Sequence, residues 1–115
     1  NDIVLFRYAD ALLMQAEAKV RNGERGVDEL NEIRARVGMP YYVEATLNDI
    51  LNERLLELVW EGWRRQDLIR FGKYTKAYDQ RIPIENENTG FTTVFPIPQK
   101  CLDLNKNLKQ NKGYK

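Results

Sequence analysis

The sequence contains no histidine and no serine, and it has one cysteine, Cys101, among 115 residues. These absences exclude an imidazole base, a serine nucleophile, an internal disulfide, and zinc sites built on histidine or on several thiolates. A charge excess is also missing, since 18 Lys and Arg face 17 Asp and Glu, which gives a formal charge of +1. No global field therefore favours a nucleic-acid partner, and no cofactor is expected.

A signal peptide and a membrane span are lacking as well. The chain begins at Asn1 without a cationic start or an apolar signal core. No apolar run approaches the roughly 18 residues that a membrane span requires. We therefore expect either a soluble chain without its first residue or a piece of a longer protein. The lone cysteine leaves the redox compartment open.

Two amphipathic helices are predicted in the first third of the chain. In the segment Val4–Arg21 apolar residues recur at helical spacing, with Asp2 as the N-cap and Asn22-Gly23 as the stop. The second helix, Val27–Val37, ends at Gly38. The pair spans about 35 residues, close to the roughly 34 residues of a tetratricopeptide repeat. The pattern therefore predicts a tetratricopeptide-like helical hairpin.

A third, long helix is predicted from residue 46 to residue 72. Thr46 and Asp49 fit a capping box at its start. Gly62 is a point at which this helix could end, but we favour continuation to Gly72, because the residues after Gly62 are compatible with a helix. The apolar stripe of this helix is wide, which predicts burial on more than one side.

Residues 73–115 are predicted to form an irregular meander, which contains Pro96 and Pro98. The tail from Asn105 onward is polar, and we expect it to be mobile unless Leu108 and Tyr114 dock onto the body. The predicted fold class is therefore all-α. It comprises a tetratricopeptide-like helical hairpin, a third long helix and an irregular, proline-containing C-terminal meander.

The densest charged cluster lies on the predicted third helix. Glu53, Glu57 and Glu61 are four residues apart, so they stack along one helix face, and neighbouring arginines can neutralise the row. Such a row could bind a hard cation or serve as an acid/base pair. We favour a structural role, because arginines compete with a metal for the carboxylates. We assign no catalytic and no metal-binding residue, and we predict a structural network of Glu53, Arg54, Glu57, Glu61, Arg64, Asp67 and Arg70.

Four large aromatic residues are candidate ligand contacts. Trp60 and Trp63 lie on the predicted helix, where such side chains are more often packing anchors. Tyr41 and Tyr42 lie in the linker that precedes the third helix, where side chains face solvent more often, and they are the better ligand candidates. Cys101 has no cationic context in the sequence, so a buried or inert thiol is expected.

Four blocks of the sequence resemble the C-terminal region of SusD/RagB-like proteins. Residues 6–18 are similar to that family's helix RYADxLLMxAEA, and residues 30–38 are similar to its next helix, N-x-[IV]-R-x-R-x-G. The charged cluster, within residues 53–73, resembles the signature ERxxELxxEGxRxxDLxRxGK, and residues 95–114 resemble the closing FPIPxxExDLNPNLxQNPGY. Lys106 and Lys112 replace prolines of that last motif, and Leu102 stands where an acidic residue is common.

The resemblance implies a mostly helical binding protein, not an enzyme, that is several times longer than this chain. Family members are surface-exposed outer-membrane lipoproteins of Bacteroidetes-type bacteria. They bind glycans or other nutrients in polysaccharide utilisation and cap a SusC-like TonB-dependent transporter. The lipid anchor and much of the glycan-binding surface would lie in an N-terminal part absent from this chain, so no family ligand residue is carried onto a position here.

The resemblance also implies the organisation of the chain. Residues 1–115 would be a single C-terminal segment, with a helix pair at 1–38, the signature helix at 46–72, and the meander and tail at 73–115. An alternative from a different class is a free-standing helical-repeat adaptor that binds peptides in a groove. A carboxylate-based hydrolase ranks third, because glycosidase carboxylates flank the scissile bond from opposite sides rather than stacking on one helix.

A single helix pair of a repeat scaffold normally buries its apolar face against neighbouring repeats. We therefore predict that the 115-residue chain by itself is marginally stable or self-associates. Size-exclusion chromatography with light scattering, followed by thermal melting, measures both properties. A monodisperse monomer with a cooperative melt above about 60 °C, in the upper mesophile range, would contradict this prediction.

Overall fold

The computed structural model describes residues 4–78 and 80–114. Within these residues the chain forms five α-helices, and no strand is present apart from an isolated bridge between Tyr78 and Arg81. The all-α prediction is therefore confirmed. The helices are α1 (Tyr8–Arg21), α2 (Val27–Arg36), α3 (Leu47–Glu57), α4 (Arg64–Arg70) and α5 (Gln99–Leu104), with short 3₁₀ turns at Glu87–Thr89 and Phe91–Thr93.

The chain divides into two compact units, residues 1–67 and residues 68–115. In the first unit α1 packs against both α2 and α3. The stretch before α1 is not helical, so α1 begins at Tyr8 rather than at Val4. The predicted cap Asp2 lies outside the described residues. The buried apolar core of this unit consists of Leu12, Leu13, Ala16, Val27, Leu30, Ile33, Ile50, Leu51 and Leu58.

Helices α1 and α2 end where the glycine signals predicted. Gly23 and Gly38 both have positive φ, which the left-handed closing residue of a helix requires. After α1 the amide of Glu24 donates to the carbonyl of Lys19 at 2.8 Å. After α2 the amide of Met39 donates to the carbonyl of Arg34 at 2.9 Å. The predicted capping box at the start of α3 is also present, with Asp49 N–H donating to Thr46 Oγ1 at 3.2 Å and Thr46 N–H donating to Asp49 Oδ2 at 2.9 Å.

The prediction of one long helix through residues 46–72 is wrong, because α3 ends at Glu57 and α4 begins at Arg64. Between them Trp60 has φ 66° and Gly62 has φ 82°, which no α-helix allows. The tertiary contacts show why the chain turns here. Arg54 Nε donates to Asp67 Oδ2 at 2.8 Å, although 13 positions separate the two residues. A continuous helix would hold them roughly 20 Å apart at 1.5 Å per residue.

The second unit is organised around the buried carboxylate of Glu87. Its oxygens accept hydrogen bonds from Arg81, from Thr92 Oγ1 at 2.8 Å and from the amide of Ile84 at 2.9 Å. The guanidinium of Arg81 also lies over the ring of Tyr74, 5.2 Å from its centroid. One acidic side chain thereby ties together three turns of a segment that lacks long helices.

The tail is held in place by Tyr114, one of the two residues whose docking was the stated condition for an ordered tail. Its hydroxyl donates to the carbonyl of Val94 at 2.8 Å. The amide group of Gln110 pairs with both backbone groups of Ile97, at 2.8 Å and 2.9 Å. Within the predicted meander, residues 91–93 form a 3₁₀ turn. Side-chain amides thus give the backbone at 94–97 the hydrogen bonds that a neighbouring strand would otherwise supply.

Several large apolar side chains of the first unit face solvent. They include Val4, Leu5, Phe6 and Tyr8 at its N-terminal stretch, the last of which is 70% exposed. The predicted apolar stripe of α1 is therefore buried at Leu12, Leu13 and Ala16 but uncovered at its N-terminal end. Residues 4–78 and 80–114 contain no helix with the length and hydropathy of a membrane span.

Glu87 makes the stability of the chain depend on pH in a predictable direction. Burial opposes its ionisation, but hydrogen bonds from Thr92, Arg81 and the Ile84 amide together hold the pKa of Glu87 below its ordinary value. The unfolded chain therefore binds a proton on this residue more readily than the folded chain does. The stabilisation from Glu87 is complete above the ordinary Glu pKa of about 4.3 and is lost as pH falls through the lower folded value.

We therefore expect the melting temperature to fall as pH is lowered below about 4.3. Glu87→Gln should lower the melting temperature at neutral pH and flatten this acid-side decline, because it removes the titrating group. Circular dichroism melts over a pH series measure both effects. Exposed Glu85→Gln is the matched control and should keep the wild-type profile. An unchanged acid-side slope in Glu87→Gln would contradict the assignment.

Candidate functional site

The charged cluster singled out in the sequence contains a buried ion triad centred on Arg54. Its Nη1 donates to Asp10 Oδ1 and its Nε donates to Asp67 Oδ2, both at 2.8 Å. All three side chains are at most 3% exposed. The guanidinium also lies 5.9 Å from the ring centroid of Trp63. Asp10 comes from α1, Arg54 from α3 and Asp67 from α4, so the triad connects three helices.

A second buried pair joins α2 to α3. Arg34 Nη1 donates to Glu53 Oε2 at 2.6 Å, and Arg34 Nε donates to the carbonyl of Pro40 at 2.6 Å. The same guanidinium lies over the ring of Tyr42, 4.3 Å from its centroid. Arg34 therefore fixes the linker after α2 as well as the packing of α3.

A third, half-exposed group lies at the start of α1. Arg7 donates through Nε to both carboxylate oxygens of Glu61, at 3.0 Å and 2.9 Å, and through Nη1 to Glu57 at 2.5 Å. Hydrogen bonding to Glu61 and then to Glu57 raises the pKa of Arg7 well above its ordinary value, against an opposing effect of burial. Glu57 also accepts from Arg36 at 2.7 Å. The last turn of α3 and the turn after it are thereby tied to α1 and α2.

The structure separates the predicted network into parts. Of its seven members, Arg54 and Asp67 bond to each other, Arg64 donates to the carbonyl of Leu51 at 3.4 Å, and Arg70 lies 5.0 Å from the ring centroid of Phe71. The three glutamates accept from arginines of the first two sequence blocks rather than from the arginines beside them on the signature. Glu61 does not share a helix with Glu53 and Glu57, since α3 ends at Glu57.

Sequence reasoning missed the partners that come from the N-terminal helices: Arg7, Asp10, Arg34 and Arg36. A signal for them was present, because each lies inside one of the two N-terminal blocks that resemble the family motifs. Asp10 also stands three residues before Leu13, on the buried face of α1. A charged residue on a buried helix face requires a partner of opposite charge.

The candidate ligand tyrosines differ in environment. Tyr41 is 66% exposed. Tyr42 is half-buried, its amide donates to Asn31 Oδ1 at 2.9 Å, and its carbonyl accepts from Asn31 Nδ2 at 2.8 Å. Tyr41 can therefore offer a free ring face, whereas the ring of Tyr42 is already covered on one side by Arg34.

The two tryptophans also differ. Trp63 packs as expected, with its ring 5.7 Å from that of Phe6. Trp60 is 98% exposed, so the expectation that it packs is wrong within this chain. Trp60 faces solvent because it lies in the turn between α3 and α4. The prediction had placed it on a continuous helix, beside the apolar stripe of that helix. A bulky residue at positive φ is uncommon and marks a locally constrained turn.

Other chemistry is not assembled in the described part of the chain. Residues 4–78 and 80–114 contain no group of three or more His, Cys, Asp or Glu side chains that could hold a metal ion. Cys101 is exposed on α5, so of the two expected states, buried or inert, the buried one is wrong. What the cluster can do chemically is to hold three helices at fixed orientations by charge-assisted hydrogen bonds.

If the network is structural, substituting a buried member should lower the free energy of unfolding more than substituting a half-exposed one. Removing Arg54 takes the guanidinium away from the two buried carboxylates of Asp10 and Asp67, so Arg54→Met should lower the free energy of unfolding by about 3–5 kcal/mol. Glu61→Ala breaks a half-exposed pair and should cost about 0.5–1 kcal/mol. Urea unfolding followed by circular dichroism measures both. The exposed Arg25→Met is the matched control, within about 0.5 kcal/mol of wild type. An Arg54→Met variant no less stable than Glu61→Ala would contradict this order.

Comparison with known proteins places this arrangement in a family. A family model described as "SusD family" matches residues 1–114. The "Starch-binding protein SusD" of Bacteroides thetaiotaomicron is 36% identical over 121 aligned positions, which cover 100% of this chain and 22% of that protein. The "SusD-like protein P38" of Formosa agariphila is 34% identical over 129 positions, which cover 99% of this chain and 25% of that protein.

The chain therefore spans about a quarter or less of the length of these relatives. The match extends over both units, since it begins before α1 and ends at the docked Tyr114. The four sequence blocks that resemble the family all lie inside the matched range. This chain belongs to the SusD family.

Proposed function

We propose that this chain is the C-terminal scaffold segment of a cell-surface glycan- or nutrient-binding protein that works with a SusC-like TonB-dependent transporter. The observation that carries the proposal is family membership over residues 1–114, together with the starch-binding name of the relative from Bacteroides thetaiotaomicron. The small share of each relative that the chain covers supports a role as one part of a larger binding protein.

The role of the charged cluster in this proposal is to support the fold. Arg54 and its partners are buried. The Nε and Nη1 groups of Arg54 donate to the carboxylates of Asp67 and Asp10 rather than to a ligand. Glu53 and Glu57 each accept hydrogen bonds from arginines, which occupy the lone pairs that a metal ion or a substrate would need. These contacts support a structural role for the cluster rather than a catalytic one.

The proposal places the protein at the outer membrane, exposed at the cell surface and anchored by lipid through a part that precedes this chain. The transporter partner and this location rest on the family resemblance. The exposed N-terminal stretch with Phe6 and Tyr8, and the exposed Trp60, offer apolar surface for contacts beyond these 115 residues.

One observation favours the second candidate, a helical-repeat adaptor. A groove of about 720 Å³ runs along α1 and α2 and is lined by Tyr8, Leu12 and Ile33, with Arg36 at its side. An apolar groove between paired helices suits an amphipathic peptide. Family membership favours the nutrient-binding function, and a gene that encodes only this domain would favour the adaptor.

Isothermal titration of the full-length protein, produced without its lipid anchor, tests glycan binding with amylopectin and with a panel of other polysaccharides. We expect saturable binding of at least one of them. Tyr41→Ala should raise the Kd about fivefold to tenfold if the exposed ring contacts glycan. Val43→Ala, which truncates another exposed side chain of the same linker, is the matched control. Glu61→Ala should lower the melting temperature and keep the Kd.

Two results would contradict the proposal. One is that no polysaccharide binds. The other is that Glu61→Ala abolishes binding at an unchanged melting temperature, which would give the network a ligand role. The transporter is tested separately, by affinity purification of the tagged full-length protein from outer membranes. A TonB-dependent barrel should co-purify with it and not with an equally tagged lipoprotein from the same membrane, and its absence would remove the transporter from the proposal.

A further inference from the structure

The second unit contains a cleft of about 530 Å³ that the charged network does not reach. One side is built from the turns at residues 85–94 and the other from the tail at residues 111–113. The volume lies within the roughly 300–1,000 Å³ of typical small-molecule sites. The side chains that matter for its chemistry are those of Glu85, Asn86, Phe91, Val94 and Lys112.

The two sides of this cleft are locked together. The rings of Phe91 and Tyr114 meet edge to face, with centroids 5.2 Å apart. Gly113 lies so close to Phe91 that a Cβ added there would be 2.5 Å from the Cβ of Phe91, so only glycine fits. Asn111 Nδ2 donates to the carbonyl of Phe95 at 2.7 Å. A cleft held in this way is preorganised, which lowers the entropic cost of binding a ligand.

The polar side chains of the cleft are available for a ligand. Asn86 has φ 61°, in the left-handed region that Asn tolerates. Within residues 4–78 and 80–114, the side chains of Glu85, Asn86 and Lys112 have no hydrogen-bond partner. Together they present a carboxylate acceptor, an amide that both donates and accepts, and an ammonium donor. The charges of Glu85 and Lys112 are opposite, so the cleft does not select a ligand by net charge.

We propose that this cleft binds one or two pyranose residues of a neutral oligosaccharide. The apolar face of a sugar ring would lie against Phe91 and Val94, while its hydroxyls, each both donor and acceptor, would pair with Glu85, Asn86 and Lys112. A neutral polyol with an apolar face matches a lining that mixes these groups without net charge. This inference rests on the proposed glycan-binding function and adds a sugar subsite in the C-terminal unit.

Saturation-transfer difference NMR on the full-length protein, produced without its lipid anchor, tests the subsite, because the method detects weak ligand binding to a large protein. The probes are maltotriose and cellotriose, with glycerol as a small polyol that lacks a ring face. We expect ring protons of at least one trisaccharide to receive saturation, with a signal that saturates at millimolar concentration. Glycerol should give no comparable signal.

Asn86→Gly removes the side-chain amide and keeps the left-handed backbone, because glycine favours positive φ. We expect it to weaken trisaccharide binding about fivefold to tenfold, as the loss of one or two hydrogen bonds predicts. Lys112→Ala should weaken binding similarly. Asn88→Ala changes an exposed asparagine of the same turn that does not line the cleft, and it should bind as wild type does. Circular dichroism melts confirm that each variant is folded.

Absence of saturation transfer to both trisaccharides overturns the subsite, and so does an equal signal from glycerol. Equal binding by folded Asn86→Gly and Lys112→Ala variants also overturns it, since the sugar would then lie elsewhere. The polysaccharide titrations on the full-length protein test the proposed function independently of the subsite. If that protein binds polysaccharide while neither trisaccharide receives saturation, or while the folded variants bind the trisaccharide as wild type does, the subsite is wrong and the glycan-binding function stands.

Discussion

The buried guanidinium of Arg54 requires two carboxylates at once, and they come from far apart in the chain. Asp10 lies 44 positions before it and Asp67 lies 13 positions after it. Pairing with both holds α1 and α3 together and requires a break in the helix after Glu57, so that Asp67 on α4 can reach Arg54. The rest of the first unit follows from this constraint, since an unpaired charge at that depth would cost several kcal/mol.

The other charged contacts repeat the same principle with less burial. Arg34 holds α3 and the linker after α2, and Arg7 holds the last turn of α3 against α1. Apolar burial brings the helices together without specifying their orientation. An arginine that donates to two carboxylates, or twice to one, restricts the relative orientation of the helices, because its hydrogen bonds are directional. This division of roles suits a scaffold, in which several surfaces must be presented at fixed positions.

The second unit solves a different problem, because its helical segments are short and it lacks a sheet in the residues described. Its backbone groups are satisfied by side chains instead. Glu87 caps neighbouring turns, and Gln110, Asn111 and Tyr114 bind the carbonyls and an amide of residues 94–97. The closing motif is therefore rich in side-chain amides for a structural reason. The cleft between the turns at residues 85–94 and the tail at residues 111–113 results from the same contacts.

The sequence by itself determined the helix class, the start of α3 at the Thr46 capping box, the ends of α1 and α2 at glycines, and the family. All of these depend on local spacing or on contiguous motifs, which periodicity and turn chemistry express directly. Only the tertiary structure decided that residues 46–72 break into two helices, which arginine pairs with which carboxylate, and that Trp60 faces outward. Those outcomes depend on contacts between residues 13 to 54 positions apart, and no local pattern can rank such pairings against one another.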